Sequence, residues 1–110
     1  MKKISLIFAA LALSASTTVF ADVHLDTALE HATAALAAGK AGNALSLVEH
    51  AKAALDHSLT ASITAKSVAK NHIDAAAKSL QTGIDQGALN QLDIATKAAE
   101  ESVTHLTAAK

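Results

Sequence analysis

The sequence repeats itself after 48 residues, and this internal repeat restricts the possible folds more than any other feature. Shifting the chain by 48 residues without gaps superposes identical or similar residues: His24 and His72, Asp26 and Asp74, Ala28 and Ala76, Leu36 and Ile84, Gly39 and Gly87, Leu55 and Val103, His57 and His105. Two copies of one unit are expected to form two similar supersecondary structures that bury their apolar faces against each other.

Each unit has the composition and the periodicity of α-helices. Residues 22–110 contain 23 alanines, four glycines and no proline, and alanine is the residue that loses least on entering a helix. Two apolar stripes occur at helical spacing in the first unit: Leu25, Leu29, Ala32 and Leu36, then Leu45, Val48, Leu55 and Leu59. We therefore expect two helices here, with these stripes facing the core.

Short loops are expected to join the two helices of each unit. In the first unit Gly39 is placed to end a helix in the left-handed conformation, and Asn43 is placed to cap the next helix. In the second unit the sequence GALN occupies the equivalent place, between helices expected near 71–86 and 91–109. Helices that are joined by about four residues pack antiparallel.

The predicted fold is therefore all-α, an antiparallel four-helix bundle built from two repeated helical hairpins at about 22–60 and 66–110. The connection between the hairpins contains no glycine or proline that would mark its turn. Asn71 and the serines and threonines of residues 58–64 are the two candidates for a cap in this connection. Alanine stripes bury little area, so we expect a domain of low to moderate stability.

The first 21 residues differ in pattern from the rest of the chain. Two lysines precede an apolar run at residues 4–15, and Val19 and Ala21 occupy the small-residue positions of a signal-peptidase site. The apolar run is shorter than the about 20 residues that a helix needs to cross a bilayer. We therefore expect a secretory signal peptide at residues 1–21 and a periplasmic protein at residues 22–110 that does not associate with the membrane.

The composition of residues 22–110 excludes several classes of function. Seven lysines, no arginine and ten acidic residues give a formal charge of −3, whereas a nucleic-acid-binding protein needs a clustered basic face. The sequence contains no cysteine, which excludes disulfides, thiolate metal sites and a cysteine nucleophile. The zinc-protease motif, the G-x-S-x-G motif and a phosphate-binding glycine loop are also missing from the sequence, so we expect no enzyme.

The six histidines are placed in mirror-symmetric pairs about the two loops: His24 with His57, His31 with His50, and His72 with His105. An antiparallel hairpin brings residues at equal distances from its loop to one level. At a helical rise of 1.5 Å per residue, His24 and His31 are about 10.5 Å apart along one helix and cannot share an ion by themselves. We therefore expect imidazoles to pair between helices, with four histidines in an outer layer (His24, His57, His72 and His105) and two in an inner layer (His31 and His50).

Helical-wheel angles place the histidines at the edge of the core or outside it. His50 and His57 lie nearly opposite the apolar stripe of their helix, which predicts that this helix turns them away from the bundle axis. We therefore expect shallow sites of two or three histidines, completed by carboxylate or water. Glu101 lies one helical turn before His105 and is the carboxylate best placed to share an ion with a histidine. The alternatives are solvated histidines and a surface ion pair between Glu101 and His105.

Three segments of the chain, HLDTALEHATAALAAGKAG, LVEHAKAALDH and ATKAAEESVTHL, resemble the small metal-binding protein family. That family consists of periplasmic, histidine-rich four-helix bundles that take up several divalent ions, copper above all. The resemblance covers nearly all of residues 22–110 and implies metal binding by His24, His31, His50, His57, His72 and His105. At six positions where the family pattern leads us to expect further histidines, this chain has Ala38, Asn43, Ser79, Gln86, Gln91 and Ala98.

The sequence thus predicts a non-enzymatic periplasmic protein that binds or buffers divalent transition-metal ions. Cu²⁺ is the preferred ion, with Ni²⁺ and Zn²⁺ as further candidates, because the Irving–Williams order places Cu²⁺ highest for nitrogen and oxygen ligands. We expect a monomer that binds neither nucleic acid nor membranes. The main alternative is a structural or protein-interaction bundle that has lost most of its metal-binding capacity, and another is a helical adaptor with a partner groove between its hairpins.

Overall fold

The computed structural model describes residues 20–110, and this part of the chain forms four helices. They are α1 (Phe20–Lys40), α2 (Ala44–Thr64), α3 (Ser67–Ala88) and α4 (Leu92–Ala108). Each helix packs against the next one, and α4 packs back against α1, whereas α2 and α4 hardly touch. The described residues therefore form the antiparallel bundle of two hairpins that the repeat predicts.

The predicted signal peptide lies almost entirely outside the described residues, which begin at residue 20. Its cleavage after Ala21 stays a prediction. Within the described part of the chain, none of the four helices combines the length and the apolar character that a membrane-spanning helix needs.

The first hairpin loop is a Schellman turn. The amide of Asn43 donates to the carbonyl of Ala38 at 2.9 Å, and the amide of Gly42 donates to the carbonyl of Gly39 at 3.1 Å. Gly42 takes the left-handed conformation at φ +81°, which costs glycine no steric strain. The prediction that Gly39 ends the first helix is wrong, because α1 continues to Lys40 and the left-handed residue comes three positions after Gly39.

The second hairpin loop repeats the same hydrogen bonds. The amide of Gln91 donates to the carbonyl of Gln86 at 2.8 Å, and the amide of Asn90 donates to the carbonyl of Gly87 at 2.9 Å. Asn90, at φ +60°, takes the place that Gly42 has in the first loop, because asparagine tolerates the left-handed conformation better than most residues. The internal repeat therefore extends to the backbone bonds of the loops.

The predicted cap of α2 is confirmed, whereas both candidates in the connection to α3 are wrong. The side chain of Asn43 accepts a hydrogen bond from a backbone amide in the first turn of α2 at 3.0 Å. The turn between α2 and α3 lies at residues 65–66, so Asn71 and all of the 58–64 cluster lie inside helices and cap neither helix at this turn. No local turn signal marks residues 65–66, and contacts between the two helices hold the turn, as described below.

The core consists mostly of alanine. The largest apolar side chains that are fully buried are Leu47, Ile73, Leu80 and Leu106. The stripe predicted for α2 is wrong at both ends, because Leu45 is 71% exposed and Leu59 is 52% exposed. The buried face of α2 is formed by Leu47, Val48, Ala51, Ala54, Ser58, Ala61 and Ser62. Since small residues cover most of this face, the positions of the leucines alone indicated the wrong side of the helix.

Two glycines allow helices to approach closely at the end of the bundle that carries the hairpin loops. A Cβ atom on Gly87 would lie 2.6 Å from Val48 Cγ2, and one on Gly39 would overlap the side chain of Thr96. A Cβ atom on Gly83 would lie 3.6 Å from the carbonyl oxygen of Ala95, which is an ordinary contact distance. The packing of the helices at this end of the bundle therefore requires glycine at both repeated positions, Gly39 and Gly87.

We expect alanine substitutions at two neighbouring glycines of α3 to change the stability in opposite directions. Gly83→Ala should raise the free energy of unfolding by about 0.5–1 kcal/mol, because alanine is a better helix former and its methyl group has space. Gly87→Ala should lower it by about 1–2 kcal/mol, because the overlap with Val48 costs more than the helix propensity gains. Urea denaturation of both variants measures this difference, and a stabilised Gly87→Ala variant would contradict it.

Candidate metal site

The structure brings the six histidines together as three pairs, each between the two helices of one hairpin. The outer pair is His24 with His57, the inner pair is His31 with His50, and the α3–α4 pair is His72 with His105. The two Nδ1 atoms are 2.9 Å apart in the outer pair, 3.4 Å apart in the inner pair and 3.3 Å apart in the α3–α4 pair. All six side chains are half-buried. These are the pairs that the mirror spacing predicts.

The two rings of each pair meet edge to edge. Their centroids are 5.2 Å apart in the outer pair and 5.6 Å apart in each of the other two pairs. These separations exceed the corresponding nitrogen separations by 2.2–2.3 Å, which is about twice the distance from the centre of an imidazole ring to one of its atoms. For a given distance between the two Nδ1 atoms, the ring centroids are furthest apart when all four points lie on one line. The observed centroid separations are close to that maximum, so both centroids and both Nδ1 atoms of each pair are nearly collinear.

The in-line arrangement suits a hydrogen bond between the two rings of each pair. Two nitrogens that face each other at these distances form a hydrogen bond when one of them carries a proton and the other offers its lone pair. Such a bond requires one ring of the pair to direct its Nδ1 lone pair at its partner. A neutral imidazole with a free lone pair is also the form of histidine that binds a metal ion.

The outer and inner pairs of the first hairpin also touch each other. The rings of His31 and His57 are 6.0 Å apart, with an angle of 7° between their planes. The four imidazoles therefore form a continuous row that alternates between α1 and α2, in the order His24, His57, His31 and His50. We call this row the histidine strip.

The outer layer of four histidines does not form one common site. The outer pair lies between α1 and α2, and the other pair of that layer lies between α3 and α4. Because the helices follow one another around the bundle, these two helix–helix grooves are on opposite sides of it. Among the described residues, no group of three or more histidine, cysteine, aspartate or glutamate side chains is arranged to hold a metal ion. Each candidate site thus offers two nitrogens.

One further prediction about the site is wrong. The histidines of α2 do not turn away from the bundle, because His50 and His57 are half-buried and reach across to α1. The prediction took the leucines of α2 as its buried face, whereas small residues on another side of the helix form that face. Glu101 is exposed, and the ion pairs within residues 22–110 are Lys70–Asp74 and Lys110–Asp26, so the alternative of a surface ion pair between Glu101 and His105 is wrong. That Glu101 shares a metal ion with His105 stays a prediction.

The surroundings of His31, at the centre of the strip, favour its neutral form. Burial lowers the pKa of His31 below its ordinary value, and the charges that His50 and His57 carry when protonated lower it further. The carboxylate of Glu30 acts in the opposite direction, but it is the smallest of these causes. His31 therefore stays neutral, and able to bind a metal ion, to a lower pH than an ordinary histidine does.

We expect the metal-free protein to lose stability as the pH falls below about 6.5, the ordinary pKa of histidine. The lowered pKa of folded His31 means that the unfolded chain takes up a proton before the folded chain does. The free energy of unfolding therefore declines until the pH has passed the lowered pKa as well. Thermal unfolding at pH 7.5, 6.5 and 5.5 measures this decline, and the variant His31→Gln should show a weaker one. Identical pH dependence in both proteins would contradict the assignment.

The sequence analysis missed a polar cluster that joins α2 to α3. The hydroxyl of Ser62 donates to Asp74 Oδ1 at 2.6 Å, and Lys70 Nζ donates to Ser62 Oγ at 2.9 Å and to Asp74 Oδ2 at 3.2 Å. The bond from Ser62, and then the one from Lys70, lower the pKa of Asp74 below its usual value. The cluster holds the turn at residues 65–66. The spacing of Lys70 and Asp74 was a usable signal. Ser62 belongs to the 58–64 cluster named as a candidate cap, but it bonds to side chains of α3 and nothing in the sequence indicated these partners.

A comparison with known families matches the sequence to one of them. The family model described as small metal-binding protein matches residues 1–109, which is nearly the complete chain. No curated protein matches the sequence significantly. The family description agrees with the three pairs of facing imidazoles, because neutral imidazole is the commonest metal ligand among side chains. The chain belongs to the small metal-binding protein family.

Proposed function

We propose that this protein binds and buffers divalent transition-metal ions in the periplasm, that it prefers Cu²⁺ to Ni²⁺ and Zn²⁺, and that it has no catalytic role. The observation that carries the proposal is the direct opposition of two Nδ1 atoms in each of the three histidine pairs. Family membership supports metal binding in general. The preference for Cu²⁺ follows from the donor atoms, because Cu²⁺ stands highest in the Irving–Williams order for imidazole sites.

The alignment of the rings also bears on the choice of ion. An ion that holds two nitrogens on opposite sides at about 2 Å each requires them to be about 4 Å apart. The pairs reach this width if they open by roughly 1 Å or less, with the rings still in line. Cu²⁺ and Ni²⁺ accept such a square-planar surrounding, whereas tetrahedral Zn²⁺ requires the rings to tilt as well. The structure thus supports Cu²⁺ and Ni²⁺ over Zn²⁺.

Acidic side chains lie next to the histidine strip. Glu30, Glu49 and Asp56 directly precede three of its four histidines, and Glu49 and Asp56 are exposed. Neighbouring residues on a helix point about 100° apart, so these carboxylates do not chelate together with the adjacent imidazole. Their charge attracts cations to this side of the bundle, and water completes the coordination of a bound ion.

The test is a calorimetric titration of the protein with Cu²⁺ at pH 7.5 and at pH 5. Each pair needs two neutral imidazoles, and histidine ordinarily protonates near pH 6.5, so the affinity should fall by at least about a hundredfold at pH 5. Equal affinity at both pH values would contradict imidazole ligation. At pH 7.5 a Cu²⁺ concentration of about 100 times Kd should also stabilise the fold by about 2.7 kcal/mol.

One observation favours the alternative of a structural or protein-interaction bundle with little metal-binding capacity. Among the described residues, six large apolar side chains are at least half exposed: Leu45, Leu59, Ile63, Val68, Leu89 and Ile94. Exposed apolar groups mark a surface that contacts other proteins where they form a contiguous patch. This alternative predicts that Cu²⁺ leaves the melting temperature unchanged, so the same titration series separates the two functions.

A further inference from the structure

The in-line arrangement of each histidine pair is more specific than divalent metal binding requires. Both centroids and both Nδ1 atoms lie nearly on one line in all three pairs. No third histidine or carboxylate is arranged to join a pair in holding one ion, within the residues that the structure describes. A pair of this kind supplies two strong donors that face each other from opposite sides.

We infer that these pairs also bind a different class of cation, the monovalent d¹⁰ ions Cu⁺ and Ag⁺. Such ions have no ligand-field preference and form stable complexes with two donors in a line, whereas Cu²⁺, Ni²⁺ and Zn²⁺ need four or more ligands. The inference uses the pairs of the proposed function, but it does not depend on divalent binding. A single positive charge also costs less to desolvate in a half-buried groove than a double one.

Binding replaces the proton that lies between the two nitrogens. In a neutral pair one ring carries its proton on Nδ1 and donates it to the lone pair of the other ring. When the monovalent ion binds both Nδ1 atoms, that proton moves through water to Nε2 of the same ring. Both rings stay neutral, no net proton is released, and the nitrogens move apart to about 4 Å. No electron is transferred in this step.

The sequence offers no sulfur ligand that would compete for such an ion in residues 22–110. Cu⁺ and Ag⁺ normally prefer thiolate and thioether sulfur, but the chain has no cysteine and its single methionine is Met1. Binding of Ag⁺ to the part of the chain after the predicted signal peptide is therefore attributable to imidazole. The three pairs predict up to three ions, two in the histidine strip and one between α3 and α4.

The experiment uses Ag⁺, added as its nitrate in chloride-free buffer at pH 7.5, because Ag⁺ is stable in air. Native mass spectrometry should show up to three bound ions, the melting temperature should rise, and nitrogen NMR of the side chains should identify Nδ1 as the ligating atom. Replacing one member of a pair should remove one ion, since a linear complex needs both. His72→Ala and His105→Ala should therefore each lose the same single ion, and the exposed neighbour variant Asn71→Ala should lose none.

The possible outcomes distinguish this inference from the proposed function. If Cu²⁺ binds and Ag⁺ neither binds nor raises the melting temperature, the inference is wrong and the proposed function stands. If Ag⁺ binds to the pairs and Cu²⁺ does not bind, the proposed function is wrong and the inference stands. Unchanged Ag⁺ stoichiometry in both His72→Ala and His105→Ala, with the helical circular dichroism of each variant intact, would also overturn the inference. Anaerobic competition between the protein and a coloured Cu⁺ chelator repeats the test with copper.

Discussion

Replacing Leu80 with alanine is expected to lower the free energy of unfolding by about 2–4 kcal/mol. Leu80 is fully buried in α3 and is one of four large apolar side chains that are fully buried in the described part of the chain. The buried core is mostly alanine, whose side chain has no rotamers with which to fill a cavity. The cavity should therefore stay open, and the loss should be a large part of the stability of such a small domain.

Urea denaturation measures this loss, and Leu89→Ala is the matched control. Leu89 has the same side chain but is 67% exposed, so its removal should change the free energy of unfolding by no more than about 0.5 kcal/mol. Equal losses in the two variants would mean that the core does not lie where the structure places it. Saturating Cu²⁺ should return part of the lost stability to Leu80→Ala, because the folded form holds the histidines in pairs and is expected to bind the ion more tightly than the unfolded chain.

The second large effect is expected from removing one histidine of each pair in the histidine strip. The double variant His24→Ala/His50→Ala leaves His31 and His57 without their partners, and it should lose both Cu²⁺ sites of the first hairpin. The affinity lost at each site should exceed the 10- to 100-fold that loss of an outer-shell partner typically costs, because a direct ligand is removed. Calorimetry should then report only the site between α3 and α4.

A second double variant controls for the number of histidines. His31→Ala/His50→Ala also leaves four histidines, but it removes the two members of one pair and keeps the outer pair complete. It should therefore lose one site rather than two. If both double variants bind the same amount of Cu²⁺, the number of imidazoles and not their pairing determines the capacity, and the pairwise model of the site is wrong.

Much of the fold could be predicted from the sequence because the repeat and the mirror spacing are properties of chain position. Residues at equal distances from a short loop meet in any antiparallel hairpin, so the partner of each histidine followed from its number alone. The same reasoning could not place Gly42 as the left-handed residue, since Gly39 offers the same local signal. The two were distinguished by packing, because only Gly39 faces another helix closely.

The orientation of α2 and the detail of the site were beyond sequence reasoning for a different reason. A face covered by alanine and serine is only weakly hydrophobic. The exposed Leu45 and Leu59 are more hydrophobic, so the pattern predicted the wrong face of α2 as the buried one. The edge-to-edge alignment of the imidazoles depends on side-chain torsions and on the distance between helix axes, which spacing does not contain. The turn at residues 65–66 depends on Ser62, which is distant in the sequence from its partner Asp74.

The missing side chain of Gly39 lets α1 and α2 lie close together at the loop end of the first hairpin, because a Cβ atom there would come within 2.9 Å of Leu47 Cδ1. Counted along α1 from Gly39, the inner pair is about 12 Å away and the outer pair about 22 Å, at 1.5 Å per residue. A tilt of α1 by roughly 3° about its loop end would therefore separate the outer nitrogens about twice as far as the inner ones. The outer nitrogens start closer, at 2.9 Å against 3.4 Å, so one such tilt would bring both pairs to the width of about 4 Å that an in-line ion requires. With this movement, an ion that opens one pair would also widen the other.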